Sequence, residues 1–428
     1  MVCHKKSKLL LDNIKVKIES DVFMRSSRVN GKDFTRDRKM PFPFLVYFMI
    51  NSIKQTLQKE LTNFMREFTR YSNITKSAFC QQRLKLKPGA FIDLNNSLVE
   101  DFYTDNDIET WRGFRLLSVD GSTLELPPSD EIIQEFGVNT ESNNIPIAKI
   151  STLFDLLNEM ILDTKIAPNR SSEYDLAINH LSKLKKGDLL ILDRGYKAKW
   201  LYYILHEMNI EYVIRLPRDA GWEFDEFWDS KEISKIIEIE KMPFKSRKRL
   251  NTLQRPFHPF KIRLVKVILD NGEIEVLATS LLDEEKYPTH IFKELYCKRW
   301  GIETNYSHLK NHIEISNFTG YSTQSILQDF YANAFIANIQ RILIRDAQYA
   351  LKKSTKDREY EYKINRNLSL GYMKNRVVEI LTSNNPKYHQ ELVQLFQIEP
   401  VPIRKGRTFP RKKHRWKRKY YLNQKRAL

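Results

Sequence analysis

Two short apolar runs, each closed by an aspartate, restrict the fold of this chain more than any other feature. FRLLSVDG occupies residues 114–121, and DLLILDRG occupies residues 188–195. Apolar runs of this length, followed by Gly, are typical of buried strands that end at a turn. We therefore expect a sheet in which Asp120 and Asp193 each follow the end of a strand.

The segments around those runs predict a mixed α/β fold. STLELPP has the pattern of a second strand, and IAKISTLFDLLNEMILDTKIA that of two strands joined by a turn near Asn158. SSEYDLAINHLSKL and KWLYYILHEM are helical in pattern and flank DLLILD, and EYVIRLP is a further strand. Three antiparallel strands followed by two crossover units, in the order βββ-α-β-α-β, predict a mixed five-stranded sheet with helices packed against it.

The two aspartates are more informative together than alone. A single Asp after a strand is ordinarily a turn residue. In the expected order, however, the strands of Asp120 and Asp193 are adjacent and parallel, so both carboxylates emerge at one edge, where such sheets bind ligands. Like charges at that distance repel unless a cation joins them, which predicts Mg²⁺ or Mn²⁺ with oxygen ligands.

A third ligand is expected from a helix near that edge, in YCKRWGIETNYSHLKNHIEI. At 100° per residue, four polar residues share one face of this helix within about 60° of arc: Tyr296, Arg299, Glu303 and Lys310. An apolar stripe borders that face: Leu295, Ile302, Tyr306, Leu309 and Ile313. The alternative is an exposed face with an ordinary i,i+4 ion pair between Arg299 and Glu303. His308 and His312 fall on the side away from Glu303, where we expect them to face solvent or phosphate.

The net charge of the chain, +18, indicates the class of its partner. Such an excess is natural for a protein that binds nucleic acid or an anionic membrane. No apolar run is long enough for a signal peptide or a membrane span, so we expect a cytoplasmic protein without a membrane partner. The three cysteines, Cys3, Cys80 and Cys297, are too few and scattered for a disulfide framework or a zinc site. Nucleic acid is the partner that remains.

Three segments are candidates for that contact. A short helix bearing Lys76, Gln81, Gln82 and Arg83 has the composition of a groove-reading helix or of a solvated face. Residues 241–269 hold nine Lys or Arg and no acid, which favours a nucleic-acid contact. Residues 404–428 hold 12 Lys or Arg interleaved with Trp and Tyr, as in segments that lie along DNA, although a solubilising tail is the simpler interpretation.

These motifs together resemble the RNase H-like DDE transposases of bacterial insertion sequences, in the group defined by a Tyr-(2)-Arg-(3)-Glu-(6)-Lys signature. The spacing from Tyr296 to Lys310 fits that signature, and DGST and LDRGY are similar to the neighbourhoods of its two aspartates. The resemblance covers most of residues 35 to 345. It implies five regions: an N-terminal helical DNA-binding region (1–105), the first part of an RNase H-like catalytic core (106–216), a β-rich insertion (217–283), the final core helices (284–345), and a helical, basic C-terminal region (346–428).

The resemblance also implies roles for the site residues. Asp120, Asp193 and Glu303 would be catalytic and hold two divalent metal ions, while Tyr296, Arg299 and Lys310 would grip the phosphates of the element's end. The partners it implies are double-stranded DNA, at the inverted-repeat ends and at the target, and a second copy of the chain in a synaptic complex. Some members stack a Trp of the inserted sheet on a flipped base, but EIEVLATS has none, which leaves Trp222 or Trp228.

The sequence therefore predicts a cut-and-paste transposase, with two alternatives. A nuclease of the same fold would cut DNA without joining ends, and a derivative that has lost catalysis would only bind DNA. The intact acidic set argues against the last. No GxxxxGK loop occurs, so nucleotide hydrolysis is not supported, and no serine or cysteine has a convincing set of catalytic partners.

Overall fold

In the part of the chain that the structure describes, six helices precede the sheet. The computed structural model describes residues 6–36, 38–51, 55–69, 73–104, 107–139 and 144–404. The helices are α1 (Lys6–Glu19), α2 (Asp21–Ser27), α3 (Phe42–Met49), α4 (Leu57–Phe68), α5 (Lys76–Arg83) and α6 (Gly89–Thr104). The run PFLVYFMINSIKQTLQKELTNFM, whose apolar residues have helical spacing, is divided between α3 and α4. Thr75 caps α5 by accepting a hydrogen bond from the Ala78 N–H.

The described residues in the middle of the chain form one nine-stranded sheet. Its strands are β1 (Arg115–Glu125), β2 (Val138–Asn139), β3 (Ile145–Asp155), β4 (Ile161–Pro168), β5 (Asp188–Leu192), β6 (Glu211–Leu216), β7 (Ser234–Ile239), β8 (Phe260–Ile268) and β9 (Ile274–Thr279). They lie in the order β2-β3-β1-β5-β6-β9-β8-β7, and β4 also pairs with β3. Five helices connect them: α7 (Asp130–Phe136), α8 (Glu173–His180), α9 (Lys199–Glu207), α10 (Trp222–Asp229) and α11 (Phe244–Thr252).

The pairing corrects two sequence predictions. FRLLSVD and STLELPP are not two strands but one, β1, because β3 pairs with β1 as far as Glu125. The sheet is also wider than the five strands expected, since β9 pairs with β6, β8 with β9, and β7 with β8. The turn between β8 and β9 lies at Asn271-Gly272, a pair typical of hairpins, with Gly272 at φ +81°, a conformation that favours glycine.

Successive residues of the central strands pack on opposite faces of the sheet, as β geometry requires. Leu117 and Leu190 belong to the larger hydrophobic core, whereas Leu116 and Leu189 belong to a smaller one. The smaller core is closed by the segment around Tyr287 and Phe292. Both faces of β1 and β5 are therefore buried, which explains their continuous apolar runs.

The chain after the sheet is helical: α12 (Ile291–Cys297), α13 (Trp300–Asn311), α14 (Thr323–Ser354), α15 (Arg366–Met373), α16 (Arg376–Thr382) and α17 (Lys387–Leu395), with a small pair of strands, β10 (Glu361–Lys363) and β11 (Val401–Ile403). The 32-residue α14 contacts α1, α6 and β4. Helices from both ends of the chain thus share one core with the sheet. Within the described ranges, no helix is both long and apolar enough to span a membrane.

Candidate active site

Asp120 and Asp193 lie level with one another in adjacent strands. β1 and β5 run parallel with Ser118 opposite Ile191, and each aspartate follows two residues later. β5 ends at Leu192, and the Asp193 carboxylate accepts a hydrogen bond of 2.9 Å from the Gly195 N–H. The expectation that a strand also ends at Asp120 is wrong, because β3 continues to pair with β1 beyond that point.

Burial sets the electrostatics of Asp120. It raises the pKa of this carboxyl to about 6; the Gly121 N–H opposes that shift, and the charges of Asp193 and Glu303 add to it. The Gly121 N–H donates to Asp120 Oδ1 at 2.8 Å. A carboxylate in this position is costly at neutral pH unless positive charge is brought to it.

The helix expected in YCKRWGIETNYSHLKNHIEI is interrupted. The N–H groups of Arg299 and Ile302 each donate to the carbonyl three residues earlier, at 3.0 and 3.1 Å, so the chain tightens between α12 and α13. Tyr296, on α12, packs in the smaller core with Leu295, while Ile302, on α13, packs in the larger one. Leu295 is therefore not part of the apolar stripe of α13, and the chain passes here from one face of the sheet to the other.

Three of the four signature residues lie along α13 and its start. Arg299 Nη2 donates to Glu303 Oε1 at 2.8 Å, and Lys310 Nζ donates to Ser122 Oγ, on β1, at 2.7 Å. The Arg299 side chain is only 11% exposed, so this i,i+4 pair is not an ordinary surface pair. Tyr296 is buried on α12, and burial raises the pKa of its hydroxyl well above its usual range.

Two further residues connect to the site without a signal in the sequence. The Tyr306 hydroxyl donates to the Asp120 carbonyl oxygen at 2.7 Å, which ties α13 to β1. A Cβ on Gly121 would lie 3.5 Å from Cδ of Glu173, so a fourth carboxylate, from the start of α8, borders the same place. Tyr306 had the pattern of an apolar stripe residue, and Glu173 that of a residue in a helix's first turn, so neither spacing indicated a site.

The type of donor suits a divalent cation, although the carboxylates are not grouped around one point. Asp120, Asp193 and Glu303 offer only oxygen, the donor that Mg²⁺ and Mn²⁺ prefer. Among the described residues, no three His, Cys, Asp or Glu side chains are close enough together to hold a metal ion. The Glu303 carboxylate is instead bound to Arg299. The residues thus fit the chemistry of a divalent metal through their donor set and the raised pKa of Asp120.

The structure corrects the expectation for His308. His308 is buried: Nε2 lies 2.8 Å from Gln340 Oε1, and Nδ1 lies 3.2 Å from Nδ1 of His312. Burial lowers the pKa of the His308 imidazole to about 3, with the nearby Arg341 charge acting in the same direction. His308 is therefore a neutral contact between α13 and α14, while His312 is exposed.

The proposed groove-reading helix is also corrected. Arg83 is 4% exposed and forms an ion pair of 2.8 Å with Asp329 on α14. Gln82 is buried and donates to the Met40 carbonyl oxygen at 3.3 Å. Of the four residues named, Lys76 and Gln81 face outward and the other two are buried, so α5 does not present the four together.

The basic stretch 241–269 is less one-sided in the fold than in the sequence. Lys245, Arg247 and Lys248 are exposed on α11. Arg249 forms an ion pair with Asp175 of α8, and Arg263 is buried, donating to the Tyr287 carbonyl oxygen at 2.6 Å.

The remaining candidates for DNA contact are only partly described. The side chain of Trp228 is half-buried beneath the Arg218 guanidinium, which lies 5.2 Å from the ring centre. The side chain of Trp222 and the basic tail from residue 405 lie outside the described part of the chain.

Comparison with known proteins gives three results. A family model described as the transposase DDE domain matches residues 111–339. The transposase InsG for insertion sequence element IS4, from Escherichia coli strain K12, is 21% identical over 420 residues, which is 94% of this chain and 91% of that protein. A cryo-EM structure of the piggyBac transposase synaptic complex with hairpin DNA is 11% identical, with a TM-score of 0.46, and the match covers 94% of this chain and 86% of that one.

Proposed function

The chain belongs to the transposase DDE domain family, whose model matches more than half of it, and on this premise we propose that Asp120, Asp193 and Glu303 are its catalytic carboxylates. It is a DDE transposase, similar to the transposase of IS4. One observation carries the assignment of residues: Asp120 and Asp193 lie level in parallel strands, and the helix that bears Glu303 is tied to Asp120 through Tyr306.

Enzymes of this family use divalent metal ions, and we propose two, Mg²⁺ or Mn²⁺, held by the three carboxylates. When bound, such ions lower the pKa of an attacking water or hydroxyl and stabilise the leaving oxygen. This chain's contribution is to keep Asp120 and Asp193 in register and to hold Glu303 near them on α13. Because Glu303 is paired with Arg299, cation binding requires that Glu303 give up or share this partner.

Tyr296, Arg299 and Lys310 match the signature of the Tyr-Arg-Glu-Lys group, and we propose that they position the end of the DNA. Lys310 is anchored to Ser122, two residues beyond Asp120 on β1. Arg299 would exchange the Glu303 carboxylate for a phosphate oxygen, which suits a guanidinium because it binds either anion through two hydrogen bonds. Tyr296, being buried, would act by supporting Arg299, whose guanidinium carbon lies 5.9 Å from its ring centre.

The strand order supports an RNase H-like core. β4, β3 and β1 are antiparallel neighbours, and β1, β5 and β6 follow as parallel neighbours. Unlike the sequence prediction, this arrangement has FRLLSVD and STLELPP in one strand, and β9, β8 and β7 lie beyond β6. We propose the same regions as the sequence predicts, with residues 1–105, exposed cations of α11 and residues 404–428 as DNA contacts.

The proposed reaction is cleavage at the ends of an insertion sequence and transfer of those ends into target DNA, by two copies of the chain in a synaptic complex. Labelled duplex carrying the element's ends, incubated with the protein and Mg²⁺, tests this. Cleaved and joined products are expected; cleavage alone would favour a nuclease, and binding alone a derivative without catalysis.

The assignment of Glu303 is tested in the same assay. Glu303→Ala should abolish cleavage and leave DNA binding nearly intact, because the basic surfaces supply affinity. Glu294→Ala removes the same charge from an exposed site on α12, 81% exposed, and should cleave normally. Normal turnover by the Glu303→Ala protein would exclude this carboxylate from the site.

A further inference from the structure

A large cavity lies towards the start of β1, and none of the three carboxylates lines it. Its volume is about 1530 Å³, and its wall includes Glu159 in the turn between β3 and β4. Asp155, next to that turn, pairs with Leu117, three residues before Asp120 and towards the start of β1. Residues of α1, α14 and the C-terminal helices complete the wall. The cavity is therefore separate from the proposed catalytic site and is closed by segments far apart in sequence.

On the side of α14 that faces this cavity, three positively charged side chains and one amide form a stripe. Arg341, Arg345, Gln348 and Lys352 all line the cavity. Their spacing of four, three and four residues keeps them within about 60° of arc on one side of the helix. Like charges at i and i+4 repel each other, so this arrangement is unfavourable unless an anion lies between them.

Carboxylates in the wall do not satisfy all of these donors. Glu159 binds both Arg341, at 2.7 Å, and Arg366, and the Asp107 carboxylate lies 3.5 Å from the Arg345 guanidinium. Even so, Arg341 Nη2 and Arg345 Nη1 are buried and have no hydrogen-bond partner among the described residues. The Arg341 side chain is 3% exposed, so its spare donor is withheld from solvent. A buried guanidinium N–H without an acceptor is costly, which indicates that an acceptor is missing.

Two lysines at the cavity have no carboxylate partner among the described residues. Lys352 and Lys363 line it, and within the described residues neither forms an ion pair. In total, seven Lys or Arg and four Asp or Glu line the cavity, an excess of three positive charges. Ligand pockets more usually hold about 300–1000 Å³, so this one has room for several phosphate groups.

We propose that this cavity binds a phosphate-bearing anion through Arg341, Arg345 and Lys352. The phosphates belong either to a DNA backbone held away from the catalytic edge or to a free polyphosphate or nucleotide. Such a ligand would join α1, the sheet and the C-terminal helices. The proposal does not depend on the assignment of the catalytic carboxylates, so either can fail alone.

The test compares the full chain with the double variant Arg345→Gln/Lys352→Gln, which keeps the more deeply buried Arg341. Lys185→Gln/Lys186→Gln is the matched control, since it removes two exposed positive charges that do not line the cavity. Each protein is titrated with inorganic pyrophosphate, and separately with duplex DNA over a range of salt concentrations. EDTA is present so that no divalent ion bridges phosphate to the carboxylates.

We expect the cavity variant, but not the control, to bind one of these probes about ten- to hundredfold more weakly. Weaker pyrophosphate binding with unchanged DNA binding identifies a free phosphate compound. Weaker DNA binding identifies the DNA backbone. In that case the salt slope, which is the slope of log affinity against log salt concentration, should fall in magnitude by about 0.9 for each phosphate that is no longer neutralised. If the cavity variant is folded and binds both probes as the control does, the proposal is wrong. If its melting temperature in buffer shows that it is unfolded, Lys352→Gln alone is tested instead. Normal binding of both probes by Lys352→Gln would then also mean that the proposal is wrong.

Discussion

Asp120 should make the metal-free protein less stable at neutral pH than at acid pH. Its pKa is about 6 in the fold, above the ordinary 3.8, so the native state binds this proton more tightly than the unfolded state does. Stability from this group therefore falls as pH rises from about 4 to 6 and stays low above it. Asp120→Asn should raise the free energy of unfolding at pH 8 by about 1–3 kcal/mol and abolish cleavage.

Urea unfolding in EDTA at pH 4 and pH 8 measures this difference. The gain for Asp120→Asn should be small at pH 4, where the native carboxyl is already protonated. Asp357→Asn, at an exposed position, should show no such change between the two pH values. Equal stability of wild type and Asp120→Asn at pH 8 would mean that burial does not penalise this carboxylate.

Lys310 should matter more for joining than for binding. Its amino group is held by Ser122 beside Asp120, and burial lowers its pKa, with Glu125 opposing that shift. Lys310→Met should slow end joining about ten- to hundredfold, because a misplaced phosphate loses much of its reactivity, while duplex affinity changes little. Lys298→Met, which breaks only a surface pair with Glu294, is the control for rates measured on pre-cleaved ends. Equal rates for the two variants would make Lys310 a structural residue.

Among the strands and helices, some features could be predicted from the sequence pattern and others could not. The parallel pairing of β1 and β5 was predicted from two apolar runs, because a strand buried on both faces has apolar residues at nearly every position. The tightening between α12 and α13 did not, since Lys298 and Arg299 suit a continuous helix and the break places Tyr296 on another face of the sheet. Helical periodicity assumes one axis, so it cannot detect a change of packing partner.

In helix α5, the sequence likewise did not show which charged side chains are buried. Arg83 has the composition of a surface or DNA-contacting residue, but its partner Asp329 lies 246 residues away in sequence. Arg83→Met should destabilise the protein by about 3–5 kcal/mol, because it leaves a buried carboxylate without its cation. Chemical unfolding of Arg83→Met and of Arg83→Met/Asp329→Leu measures this, and the double variant should recover much of the stability. Lys76→Met, on the exposed side of α5, should leave stability unchanged.

The basic tail should supply affinity without chemistry. Residues 404–428 carry 12 positive charges and no carboxylate, so their removal lowers the net charge of the chain from +18 to +6 (18 − 12). Deleting them should weaken binding to DNA of any sequence and reduce the salt slope by about 0.9 for each phosphate that the tail neutralises. Cleavage at saturating DNA should persist, because none of the three carboxylates lies there. An unchanged affinity and an unchanged salt slope would indicate that the tail only solubilises the protein.

The pairing of β9 with β6 has a consequence for how the protein opens. β7, β8 and β9 belong to the same hydrogen-bonded sheet as β1 and β5, so we expect them not to unfold independently of it. Amide hydrogens of β8 should then exchange with solvent through the same cooperative opening as those of β5. Deleting residues 217–283 would leave β6 as an exposed edge strand, to which other copies of the chain could pair. We therefore expect the deleted protein to aggregate rather than to form a smaller active enzyme.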